Sequence, residues 1–233
     1  MTTRVPGEGL VADRGSRHRD GDGRTGPVVG VLALQGDVLE HLRMLAAAGA
    51  APRPVKRADD LDGLDGILLP GGESTTMGKL ATLYGLMEPL RARISAGMPA
   101  FGTCAGAILL ASRALRFDGE PLDQPLLGVM DTVVRRNAFG RQVDSFEAEL
   151  DIAGVTDING GGPTHAVFIR APWIEQHGPQ VEVLAEVATP LGAKVVVARQ
   201  GAVLASAFHP ELTEDIRLHR HFVEQLVLPR STP

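Results

Sequence analysis

Seven consecutive apolar residues, Val28-Val29-Gly30-Val31-Leu32-Ala33-Leu34, constrain the fold of this chain more than any other stretch. A half-buried strand alternates apolar and polar residues. A run without alternation belongs to a strand buried on both faces. Such a strand needs a layer of helices on each side, which predicts an α/β architecture. The following residues fit. Gln35-Gly36-Asp37 reads as a turn with Asp37 as helix N-cap. Val38, Leu39, Leu42, Leu45 and Ala46 recur at helical spacing, and Gly49 closes the helix. Pro54-Val55-Lys56, Gly66-Ile67-Leu68-Leu69 and Pro99-Ala100-Phe101 read as further strands, and a helix is expected from about Met87 to Ala96, stopped by Gly97. Alternating strands and helices imply parallel pairing with right-handed crossovers. In such sheets ligands bind beyond the carboxyl ends of the strands.

The second half reads as strands without intervening helices: Leu126 to Val134, Ser145 to Ile152, Ala166 to Ile169, Val181 to Val187, Lys194 to Ala198 and Ala202 to Ala207. Gln200-Gly201 reads as a hairpin turn. A last helix is expected near Thr213, with Glu214 and Asp215 in its first turn, running through Ile216, Phe222, Val223 and Leu226. Without an internal repeat or linker, residues 28 to 230 are expected to form one α/β domain with antiparallel additions. Residues 1 to 27 stand apart. They are rich in Arg, Asp, Gly and Ser and lack the apolar core of a signal peptide. They read as a disordered tail, or as the product of a misplaced start codon. The net charge of -5 gives no reason to expect nucleic acid or an anionic membrane as partner. No apolar run reaches the ~18 residues of a membrane span.

The single cysteine lies in Phe101-Gly102-Thr103-Cys104-Ala105-Gly106-Ala107, where an apolar run gives way to a helical one. One cysteine cannot form an internal disulfide, which suits a reducing cytoplasm. The pattern Gly-x-Cys-x-Gly is the thiol version of the nucleophile elbow. A strand turning sharply into a helix strains the joint residue and leaves no room for side chains two positions away on either side. A helix N-terminus beneath a thiol favours the thiolate. The alternative is a buried structural cysteine beside a tight turn.

A cysteine nucleophile needs a base, and the base an orienter. Of seven histidines, His18 is in the tail, His177 sits in a turn beside Gly178-Pro179, and His165 follows the glycine loop Asn159-Gly160-Gly161-Gly162-Pro163. His41, His219 and His221 fall in charge-dense helices and read as solvated. His209 differs, because it follows the apolar run Val203 to Phe208 and so occupies another strand end. Glu211, two residues on, can turn back and fix one tautomer of the imidazole. Its alternative role is to cap the last helix. A third strand end, Leu69-Pro70-Gly71-Gly72-Glu73-Ser74, has glycines that let backbone N–H groups converge. The amides of Gly72 and Ala105 then suit an oxyanion hole. The alternative is an ordinary turn before a helix capped by Ser74 or Thr75.

Together, Pro-Gly-Gly, Gly-x-Cys-x-Gly and His-Pro-Glu resemble the triad type of class I glutamine amidotransferases. Further strings narrow the resemblance: Leu34-Gln-Gly36, Leu69 to Met77, Phe101 to Gly106, Arg136-Asn137, Phe139 to Glu147, Phe168 to Pro172 and Phe208 to Asp215. These look like the glutaminase subunits of pyridoxal 5'-phosphate synthase over residues 28 to about 228. The tail and a longer Thr156 to Thr164 loop depart from that pattern.

The resemblance implies a flavodoxin-like three-layer α/β fold with a mostly parallel central sheet and antiparallel additions. It implies hydrolysis of L-glutamine by Cys104, His209 and Glu211. The oxyanion would be held at Gly72 and Ala105, and glutamine would be bound by Gly72, Glu73, Ser74, Arg136, Ile169 and Arg170. Arginines at 136 and 170 suit a carboxylate, though either reads equally as half of a surface ion pair. No metal or organic cofactor is implied. The partner implied is a (β/α)8-barrel synthase subunit, in a large hetero-oligomer, that receives the ammonia. Two other readings are a glutaminase for another synthase, such as that of histidine biosynthesis, and a thiol sensor or chaperone on a related fold.

Overall fold

The structure is a computed structural model and describes residues 26–139, 145–156 and 161–231. The predicted tail up to residue 25, and residues 140–144 and 157–160 of the two strings noted above, lie outside the described residues.

The apolar run opens the chain as β1 (Val28–Leu32), which leads into α1 (Val38–Ala47) and β2 (Ala51–Val55). Next come β3 (Gly66–Leu69), α2 (Ser74–Leu83), α3 (Met87–Ser95), β4 (Ala100–Thr103) and a short α4 (Ala105–Leu110). Eight strands follow: β5 (Ala111–Leu115), β6 (Met130–Arg135), β7 (Ser145–Leu150), β8 (Thr164–Ile169), β9 (Trp173–His177), β10 (Glu182–Thr189), β11 (Gly192–Gln200) and β12 (Val203–Ser206). The chain ends in α5 (Arg217–His221), a π-helical stretch (Phe222–Val227) and α6 (Leu228–Ser231).

The main sheet has the order β2-β1-β3-β4-β12-β11-β9-β6-β5, with β10 paired to β11. The strands from β2 to β12 are parallel, whereas β12, β11, β9 and β6 pair antiparallel in succession. β7 and β8 form a separate antiparallel hairpin. This is the α/β architecture with antiparallel additions expected from the sequence.

Both faces of β1, β3, β4 and β12 are buried, and residue parity sorts the two cores. Ile67, Leu69, Ala100, Val203 and Ala205 pack with Met77, Leu90 and Ile108 from α2, α3 and α4. Leu68, Phe101 and Leu204 pack on the other side with Leu45 of α1 and Leu218, Phe222 and Val223 of the terminal helices. Each such side chain withdrawn from water contributes about 1.5–3 kcal/mol, which explains why these strands carry no polar alternation. The packing sets the carboxyl ends of β1, β3, β4 and β12 side by side.

Several boundaries differ from those expected. The last helix begins at Arg217, not near Thr213, and Asp215 precedes it, accepting hydrogen bonds from the Arg217 backbone and guanidinium. The segment expected as a strand from Leu126 becomes one only at Met130, because Leu127 and Val129 instead bond back to the carbonyls of Leu109 and Leu110. β5 follows α4 without a break and is a strand that the sequence reading did not mark. Its pairing with β6 overrides the local apolar pattern. The Asp37 side chain does not cap α1. Among the described residues no helix is long and apolar enough to cross a membrane.

Candidate active site

Cys104 joins β4 to α4 with φ 47° and ψ −103°, a conformation that side-chain-bearing residues rarely adopt. The reason for small flanking residues is visible. A Cβ on Gly102 would lie 2.5 Å from the carbonyl carbon of Gly106, and a Cβ on Gly106 would lie 2.0 Å from the Leu69 carbonyl oxygen. Helix α4 therefore presses directly on strand β3, and this contact lifts the thiol to the strand end. Cys104 is nearly buried yet opens on a cavity of about 510 Å³.

His209 faces the same cavity from the end of β12. Its Nδ1–H donates to Glu211 Oε1 at 2.7 Å, which leaves Nε2 for the sulfur. Glu211 lies in a 3₁₀ turn, Pro210–Leu212, separated from α5. It is therefore the imidazole's partner and not a cap for the last helix. Burial disfavours charge on His209, but hydrogen bonds with Cys104 and Glu211 outweigh it and raise its pKa to about 10. Burial likewise opposes ionisation of Glu211, and the hydrogen bond from His209, with the His41 imidazole close by, reverses this, holding its carboxyl well below the usual range. The site thus keeps a protonated imidazole beside the sulfur.

The turn after β3 closes the cavity. Gly72 has φ 147°, and Gln35 from the end of β1 braces the turn: the Glu73 backbone N–H donates to Gln35 Oε1 at 2.7 Å. Glu73, not Ser74 or Thr75, caps α2, accepting from the amides of Thr75 and Thr76. Burial raises the Glu73 pKa, but these bonds, the Thr76 hydroxyl and Arg136 prevail and lower it to about 2. The buried Ser74 hydroxyl donates to Gln124 Oε1 at 3.0 Å.

The cavity is lined by Gly72, Glu73, Ser74, Cys104, Ala105, Arg136, Ile169, Arg170 and His209, with Glu211 behind it. Arg136 is already engaged, its guanidinium 2.7 Å from Glu73 Oε1 and donating to Thr75 Oγ1. Arg170 makes no ion pair among the described residues. Gln35, Asp37 and Asn137 line the cavity too, although the sequence did not single them out as site residues. The position of Gln35 and Asp37 just beyond a buried parallel strand was the signal for them. The three non-glycine residues with positive φ among those described are Cys104, Asn137 and Arg170, and all three line this cavity. Concentrated backbone strain of this kind is characteristic of functional sites.

Asp37 Oδ2 lies 3.4 Å from His209 Nδ1. Asp37, His209 and Glu211 bring possible ligand atoms within 4.8 Å of one another, and no other such group occurs among the described residues. A metal there would compete with the His209–Glu211 hydrogen bond, so the donor set fits a proton-transfer cluster better than a metal centre.

Three histidines expected to be solvated are buried. His41 and His219 have no exposed surface, and His221 retains 6%. Their helices are charge-dense in sequence, but packing of α1 and α5 on the sheet turns these three inward. His165 is exposed between Glu147 and Glu149, and His177 ends β9 at the surface, so neither approaches the thiol.

Comparison with known proteins agrees with this geometry. The family model for the SNO glutamine amidotransferase family matches residues 31–228. Pyridoxal 5'-phosphate synthase subunit PdxT of Acidothermus cellulolyticus is 62% identical over 84% of this chain and 92% of its own length. The PdxT protein of Frankia alni is 60% identical over 86% and 95%. A crystal structure of a glutamine amidotransferase superposes with a TM-score of 0.75 at 51% identity, covering 84% of this chain and 97% of that one.

Proposed function

The chain belongs to the SNO glutamine amidotransferase family, and on that premise we propose that its cavity hydrolyses L-glutamine to L-glutamate and ammonia for pyridoxal 5'-phosphate synthesis. The observation that carries the residue roles is the chain Cys104–His209–Glu211, set at two adjacent parallel strand ends under the Gly72 turn.

Cys104 sulfur, as thiolate, attacks the side-chain amide carbon of glutamine. The negative charge that develops on the amide oxygen is met by the backbone N–H groups of Gly72 and Ala105. His209, protonated and held by Glu211, gives its proton to the amide nitrogen. The C–N bond breaks, ammonia leaves, and a γ-glutamyl thioester remains on Cys104. Neutral His209 then takes a proton from water as the water oxygen attacks the thioester. The C–S bond breaks, glutamate departs, and the thiolate–imidazolium pair is restored. The guanidinium of Arg170, which makes no ion pair among the described residues, takes the substrate's α-carboxylate, while Arg136, committed to Glu73 and Thr75, fixes the turn that carries Gly72. Ile169, at the cavity wall, covers the aliphatic part of glutamine. The ammonia passes to the synthase subunit, the protein partner of this chain. A nucleophile that has to remain reduced suits the cytoplasm.

The test uses the chain together with its synthase subunit. Cys104→Ala should abolish glutamate release from glutamine while supplied ammonium still supports pyridoxal 5'-phosphate formation. Its far-ultraviolet dichroism should be unchanged, because one thiol contributes little packing. A glutamine-derived electrophile such as diazo-oxo-norleucine should label the parent chain once. Full activity in Cys104→Ala, or labelling at another residue, would remove Cys104 from this role.

A further inference from the structure

The triad does not end at Glu211. Its Oε1 is bonded to His209, whereas its Oε2 is buried and makes no hydrogen bond. His41 Nε2, from α1, faces that oxygen at 3.4 Å, and neither side chain has any exposed surface. The same nitrogen lies 3.0 Å from Thr103 Oγ1, the residue immediately before the nucleophile. His41 Nδ1 lies 3.0 Å from Nε2 of His219 on α5. His219 Nδ1 is buried and unpartnered. Elements from four places in the sequence thus meet behind the catalytic pair.

The partners select one proton arrangement. A carboxylate oxygen only accepts, so the His41 nitrogen facing it should carry hydrogen. Nδ1 of a neutral His41 is then a bare acceptor, and His219 Nε2–H donates to it. The orphan Nδ1 of His219 is consequently a lone pair, not a buried N–H. That is the less costly choice, since orphaned buried N–H groups are the rarer defect. In the opposite arrangement a lone pair would face the carboxylate and an N–H would be stranded in the core.

We propose that His41 is a positioning residue of this glutaminase site: its single Nε2–H, shared between Thr103 Oγ1 and the second oxygen of Glu211, restrains that carboxylate, and His219 holds His41 in the required tautomer. This deepens the function proposed above and rests on it. A carboxylate held at both oxygens cannot rotate away from His209 during the two proton transfers. A separation of 3.4 Å is within the range of catalytic hydrogen bonds in unliganded sites. The charged and titratable groups around His41 are His219 from α5, Glu211 from the 3₁₀ turn, with His209 beyond it, and Asp37 from the start of α1. Asp215 also acts on His219.

The test compares His41→Gln with His41→Asn in the complex with the synthase subunit. A glutamine amide nitrogen reaches the Nε2 position, whereas that of asparagine reaches only the Nδ1 position. His41→Asn should lower kcat for glutamine roughly tenfold or more with KM little changed, the effect of losing a hydrogen bond to a charged group. His41→Gln should retain most of kcat and the parent pH profile. Equal losses in both variants, no loss in either, or a loss confined to KM overturns the proposal. Nitrogen-15 NMR of histidine-labelled parent chain gives a reading independent of variants that fail to fold. Near neutral pH, His41 and His219 should each be protonated at Nε2, with His219 bare at Nδ1. A bare Nε2 on His41, or a proton on His219 Nδ1, overturns the proposal. Failure of the parent complex to release glutamate would instead refute the glutaminase reading, and the NMR result would then decide the hydrogen-bond arrangement alone.

Discussion

At the scale of single residues, the proposed mechanism separates groups that move protons from groups that hold them. His209→Ala should remove nearly all glutamine turnover, because both proton transfers pass through its Nε2. Glu211→Gln should retain more, since Glu211 fixes the imidazole without lying on the proton path. Steady-state glutamate release in the complex measures both, and an unchanged rate in Glu211→Gln would remove Glu211 from the site. The buried histidines also predict how stability depends on pH. Burial holds His219 at about 3 against an ordinary 6.5. It stays neutral in the fold while the unfolded chain binds a proton, so its contribution is lost as pH falls from 6.5 towards 3. His221 is lowered too, chiefly by burial, and acts in the same direction. Glu211, whose pKa is depressed below its ordinary 4.5, adds a further loss below that pH. His209, raised from 6.5 to about 10, contributes fully below 6.5 and loses its contribution as pH rises towards 10. Thermal unfolding should therefore show a falling midpoint on both sides of neutrality. His219→Asn should flatten the decline between neutrality and about pH 5, whatever its effect on the midpoint at pH 7. An acid limb as steep as the parent's would mean that His219 is not held neutral by the fold.

At the scale of elements, the elbow is a packing constraint before it is a catalytic one. Cys104 can hold φ 47° because α4 lies against β3 with no side chain between Gly106 and the Leu69 carbonyl. Gly106→Ala places a Cβ 2.0 Å from that oxygen, and backbone cannot yield as a flexible side chain can. We expect destabilisation of more than about 3 kcal/mol, by overpacking and strain together. Denaturant unfolding of Gly106→Ala beside the parent chain checks this, and a loss below about 1 kcal/mol would show that α4 can shift away from the sheet. By contrast, Gly49 and Gly201 have open space where a Cβ would lie and are required only for their positive φ. The elbow glycines were thus recognisable from their spacing, but only the strand beneath identifies what they avoid.

At the scale of the whole molecule, an amidase that supplies ammonia to a partner wastes glutamine when it acts alone. The Pro70-Gly71-Gly72 turn offers a means of control. Its glycines accept two peptide orientations at modest cost, one aiming a carbonyl and the other an N–H at the oxyanion position. Loss of one oxyanion donor costs roughly 2.7–4 kcal/mol of transition-state stabilisation. Docking of the synthase then has only to favour the N–H orientation. The isolated chain should therefore release glutamate at least ~100-fold more slowly than the complex. Equal kcat in the two samples would show that the site is preformed and would leave the triad assignment intact.

What the sequence determined by itself is what local spacing encodes. Unbroken apolar runs specified strands buried on both faces. Glycines around Cys104 specified a strained strand-to-helix joint. A separation of two positions from His209 to Glu211 placed a carboxylate within reach of an imidazole. Tertiary structure decided whatever depends on which faces meet. His41 and His219 sit among charges in the sequence, yet both are buried behind Glu211, because the packing of α1 and α5 selects the inward face. Arg136 is committed to Glu73, and the strained Asn137 and Arg170 join the cavity, through contacts between segments far apart in the chain. Local sequence sets which backbone conformations are favourable. Burial and long-range hydrogen bonding arise only when distant surfaces come together and exclude water.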